Sequence, residues 1–91
     1  MPTDMLDAIK AYLETDETVN KAYFRVMIRY DTDSSYLVVV DLTKDADKDA
    51  TFDGIAAAAK PFLQAVFIDM IATDAELGKN VSEHTEPFYE K

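Results

Sequence analysis

"VNKAYFRVMIRYDTDSSYLVVVDL", residues 19–42, first alternates in polarity and then turns almost wholly apolar. In its first half Ala22, Phe24, Val26, Ile28 and Tyr30 share one parity, and Lys21, Tyr23, Arg25, Met27 and Arg29 share the other. A period of two belongs to a β-strand, whose successive side chains point to opposite faces, so one face of this strand is buried. The polar "DTDSS" reads as a turn, and "YLVVVDL" returns as a second strand, apolar on both faces. The two form a hairpin.

Working outward, Met5, Leu6, Ile9, Tyr12 and Leu13 recur at helical spacing and predict an amphipathic helix over residues 4–14. Thr3 or Asp4 is placed to cap it through a side-chain oxygen that accepts a free first-turn N–H. "ETDET" then breaks the pattern. After the hairpin, "TKDADKDAT" reads as a charged loop. Phe52, Ile55, Ala56, Ala59, Phe62 and Leu63 follow as a second helical stripe. Pro61 removes a hydrogen bond and crowds the preceding turn, so this helix ends or kinks near Lys60. "AVFIDMI" is a third strand. Thr73 and Glu76 have the spacing of a T-x-x-E capping box, opening a third helix with Leu77, Val81 and His84 inward and Pro87 as its stop. The expected fold is α+β in the order α-β-β-α-β-α, a small three-stranded mixed sheet with helices packed on one face. Strand two, helix two and strand three form a right-handed crossover.

The 91 residues make one domain, with 48% hydrophobic and 11% aromatic content, values of a folded chain. No cysteine is present, which excludes a disulfide framework, a thiolate zinc site and a cysteine nucleophile. The start, "MPTDMLDAIK", lacks the basic and apolar regions of a signal peptide, and no apolar run approaches the ~20 residues of a membrane span. A cytoplasmic location is the default expectation. The formal net charge of −9 repels phosphate backbones, so nucleic acid and anionic membranes are not expected partners.

Beyond the order of elements, two short stretches stand out: "V-x-x-A-Y" at Val19 to Tyr23 and the closing "PFY" at Pro87 to Tyr89. Order, spacing and ending together resemble the C-terminal domain of the SseB family, over nearly the whole chain from about Leu6 to Lys91. The resemblance implies one SseB C-terminal-like domain over residues 1–91, with an N-terminal companion domain. The family is named for enhanced serine sensitivity, which implies a context in amino-acid metabolism or its regulation. It implies no catalytic activity.

The candidate chemistry is sparse. Asp45, Asp47 and Asp49 alternate as in an EF-hand loop, but Ala50 and Ala56 stand where that loop needs glycine and glutamate. The "DTDSSY" stretch from Asp31 fails likewise, with Tyr36 and Leu42 at those places. His84 is the only histidine and has no evident ligand or nucleophile partner in the sequence. Gly54 and Gly78 are the only glycines, too far apart for a phosphate-cradling loop. Asp41 and Asp69 each interrupt an apolar strand. They are either a buried general acid with a raised pKa or ordinary strand-end and solvent-facing carboxylates. No cofactor, metal site or catalytic residue is expected.

One asymmetry is left. Both arginines, Arg25 and Arg29, share a strand face with Lys21, Tyr23 and Met27, and neighbouring strands add Leu37, Val39 and Phe67. Apolar residues mixed with tyrosine, methionine and arginine suit a protein–protein contact. Tyr23, Arg25, Met27 and Arg29 are the candidate interaction surface, for another domain, a second copy or a partner. Alternatively, long stems cover a solvated face, or the third helix and tail fold over it. Phe88 and Tyr89 are either a latch holding the terminus or an aromatic hook displayed to a partner. The expected function is a non-catalytic protein-interaction or regulatory module; the alternative is a small-metabolite, amino-acid binding domain.

Overall fold

In the computed structural model, which describes residues 2–28, 34–63 and 66–91, the hairpin is the centre of a four-stranded sheet. Strand β1 is Val19–Ile28 and β2 is Ser34–Leu42, antiparallel to it. β3, Phe67–Ala72, pairs parallel to β2, and β4, Tyr89–Glu90, pairs antiparallel to the outer side of β1. The order across the sheet is β3-β2-β1-β4. The expected three strands thus become four, because the tail after Pro87 enters the sheet.

Helices α1, Thr3–Leu13, and α2, Lys48–Ala59, pack on one face. Met5, Ile9 and Leu13 from α1 and Ile55 and Ala59 from α2 meet Ala22, Val38, Val40 and Ala72 of the sheet. Val19 joins this cluster although its parity matches that of Lys21 and Tyr23. The register slips between Val19 and Lys21, and such a bulge turns the strand so that Val19 reaches the helix side. Where the two helices cross, the Tyr12 ring lies over Gly54, and a Cβ there would stand 2.1 Å from its Cζ.

Helix α3, Glu76–His84, packs on the opposite face, so the helices do not share one side. Its Val81 closes a second cluster with Tyr23, Leu37 and Val39. The reason lies in β2: Leu37 and Val39 are as apolar as Val38 and Val40, and covering one side would leave half of them in water.

The helix ends also differ from the sequence reading. α1 starts behind Pro2 with no side-chain cap, so neither Thr3 nor Asp4 serves. α2 begins earlier than its apolar stripe because Asp47 accepts a hydrogen bond from the Ala50 amide at 3.1 Å and caps it. It stops at Ala59, where Lys60–Phe62 tighten into a 3-10 turn carrying Pro61. The Thr73–Glu76 capping box does not form. The Thr73 amide bonds to the Val40 carbonyl at 3.0 Å, extending the β2–β3 ladder, and α3 starts behind Ala75.

Candidate functional site

Pairing lays the candidate residues out in rows across the α3 face. Tyr23 stands opposite Val39 and Ile71; Arg25 opposite Leu37 and Asp69; Met27 opposite Ser35 and Phe67. The first row is covered: Tyr23 is only 7% exposed and belongs to the cluster closed by Val81. Towards the hairpin turn the cover thins. Arg25 is exposed, Met27 is half-buried, and Phe67 is 80% exposed on an outer strand of the described sheet. Arg29 lies outside the described residues. In the same row the Ser35 hydroxyl is buried with no hydrogen-bond partner.

The closing aromatics have a different place. Tyr89 sits opposite Ala22 at the β1 edge and is 8% exposed; its hydroxyl donates to the Leu13 carbonyl at 3.3 Å. Phe88 packs beside it against the α1–α2 cluster, and its amide bonds to the Ala22 carbonyl at 2.9 Å. The Lys91 amide reaches the Asn20 carbonyl at 2.8 Å. The tail therefore ties β1 to the end of α1.

The residues weighed for chemistry do not converge. Asp41 is half-buried opposite Lys21, while Asp69 is exposed beside Leu37, two rows away. His84 is exposed, with Nδ1 2.8 Å from the Asn80 carbonyl. Leu77, expected inward, is 49% exposed. Among the described residues no group of three or more His, Asp or Glu side chains could hold a metal ion. No described helix is long and apolar enough to cross a membrane.

One carboxylate that sequence reading passed over accepts four hydrogen bonds. Asp16, in the "ETDET" break, accepts from the Thr18 hydroxyl at 2.5 Å and the Thr18 amide at 3.0 Å through Oδ1. Its Oδ2 accepts from the buried Thr51 hydroxyl of α2 at 2.8 Å and from the Tyr12 hydroxyl at 3.2 Å. Burial pushes its pKa up, but these donors outweigh burial and hold the carboxyl below the ordinary aspartate range. Burial, then the neighbouring Asp16 charge, push the Tyr12 hydroxyl up, so it stays a donor. The cluster pins the α1–β1 turn to α2. A depressed folded-state pKa adds stability above the unfolded value, and that stability disappears as pH falls through the folded value. We expect Asp16→Ala to cost about 2 kcal/mol at neutral pH, the scale of charge-assisted hydrogen bonds. The gap from wild type should close below the aspartate range. Urea unfolding at both pH values checks this, and a gap independent of pH would remove Asp16 from the account.

The model of the SseB protein C-terminal domain matches residues 1–91, the whole of the chain. No curated protein is similar enough to the chain to match it. A match over the whole chain decides the family: this protein belongs to the SseB C-terminal domain family.

Proposed function

We propose that the domain is a non-catalytic protein-interaction module that docks a companion domain through the hairpin end of the α3 face. The observation that carries this reading is Phe67, a large apolar side chain 80% exposed in the same row as Met27. Arg25 stands one row further on and supplies the cation that, with aromatic and methionine anchors, is enriched at protein contacts. The family's C-terminal designation favours an N-terminal companion as the occupant. Net charge argues against a second copy, because two chains of −9 repel one another. Tyr23 would back the surface from the neighbouring row, which α3 covers. In this reading the serine sensitivity attached to the family's name reflects regulation in the cytoplasm, without a reaction at Asp41 or Asp69.

Light scattering behind size exclusion, with wild type, Met27→Glu and Phe67→Glu, tests the occupant. The expected result is a monomer in every case, with both variants binding an added SseB N-terminal domain about tenfold more weakly. A wild-type dimer broken by either substitution would replace the companion with a second copy. Equal binding of the companion by all three would end the docking assignment.

A further inference from the structure

We infer that the recess at the carboxyl ends of β2 and β3 binds a small oxyanion, the carboxylate or phosphate group of a metabolite. This site is separate from the proposed docking face and does not depend on it. β2 and β3 run parallel, so they finish side by side, with Val40 opposite Ala72. The chain then leaves them in opposite directions, from β2 into α2 on one face and from β3 into α3 on the other. Diverging departures open a crevice at the strand ends, the place where open sheets of this kind hold ligands. Here the recess has a volume of about 300 Å³, with Leu42, Ala46 and Ala72 as its apolar lining. At about 30 Å³ per water, that is room for roughly ten non-hydrogen atoms, which suits the charged end of a small metabolite.

The lining gives the chemistry. Thr43, Lys44, Lys48, Thr73 and Asp74 line the recess as well, so two lysines and two threonines share its wall in a protein of net charge −9. Among the described residues the Lys44 ammonium has no ion pair, and neither threonine hydroxyl has a hydrogen-bond partner. Lys48 is held by Asp74 at 3.4 Å, but both side chains are largely exposed, and such a pair exchanges partners at little cost. An oxyanion between the lysines would take charge-assisted bonds from both and accept from both hydroxyls. Asp74 would be its competitor for Lys48.

The test is an amide NMR titration of the whole chain with inorganic phosphate and, separately, acetate, each against chloride at equal ionic strength. Shifts should concentrate on Thr43–Lys48 and Thr73–Ala75. Lys44→Gln and Lys48→Gln should each weaken binding about fivefold or more, and Asp74→Asn should tighten it. Lys79→Gln on α3 makes the same change in net charge and should leave binding unaltered. Response to one probe alone supports the site and assigns it to phosphate or to carboxylate. Shifts no larger than those of chloride, shifts elsewhere, or equal effects of Lys44→Gln and Lys79→Gln would overturn it.

Discussion

Removing residues 87–91 should lower the melting temperature by about 15 °C. Burying a large aromatic side chain stabilises by about 1.5–3 kcal/mol, and the tail buries most of Tyr89 and part of Phe88. The Tyr89 hydroxyl bond to Leu13 and the backbone bonds to Ala22 and Asn20 are lost with them. A total of about 3–4 kcal/mol is a large share of a domain stability of 5–15 kcal/mol. In a chain of this size each kcal/mol moves the midpoint by about 4–8 °C. Tyr89→Phe keeps the ring and removes the hydroxyl, so it should cost only about 1 kcal/mol. A truncated chain that melts with wild type would show that the aromatics do not latch the terminus and would restore the displayed hook.

Gly78→Ala should destabilise the domain by about 2 kcal/mol, against the helix-propensity rule. In an exposed helix interior the same change stabilises by up to about 1 kcal/mol. Here a Cβ would stand 2.1 Å from the Ala72 carbonyl oxygen and 2.9 Å from its carbon. Both atoms are backbone at the end of β3, so relief requires α3 to move off the sheet. Overpacking of this kind costs about 1–3 kcal/mol, and it also lifts Val81 from Tyr23, Leu37 and Val39. The sign decides the matter: a variant with a raised urea midpoint would mean that α3 does not lie this close to β3.

Periodicity made the hairpin readable, since a one-residue slip would take Ala22 and Phe24 of β1 off the α1–α2 cluster. Pro61 marked the end of α2 for the same local reason. β4 escaped because a strand of two residues has no period to read. The side taken by α3 escaped because Leu77 and Val81 show that a helix packs, not where. The available signal was β2, whose runs of valine and leucine on both parities call for cover on both faces. The apparent Thr73–Glu76 cap misled because a spacing rule cannot see that the Thr73 amide is already held by Val40. On the candidate surface, alternation alone aligned Arg25 with Met27, but the burial of Tyr23 depended on a helix some sixty residues later. The recess was invisible to sequence reading because Thr43 and Thr73 belong to different loops, which only parallel pairing brings together.

The bond from Tyr89 to Leu13 spans 76 positions along the chain. Closing so long a loop costs entropy before its contacts offset it, whereas the β1–β2 hairpin closes locally. β4 is therefore expected to dock late, after the folding barrier has been crossed. Contacts absent at the barrier slow unfolding and leave the rate of folding nearly unchanged. Stopped-flow kinetics of Tyr89→Phe should place its whole effect on the unfolding arm. Two aromatic residues would then set how long each molecule stays native, and have little bearing on how fast it arrives there.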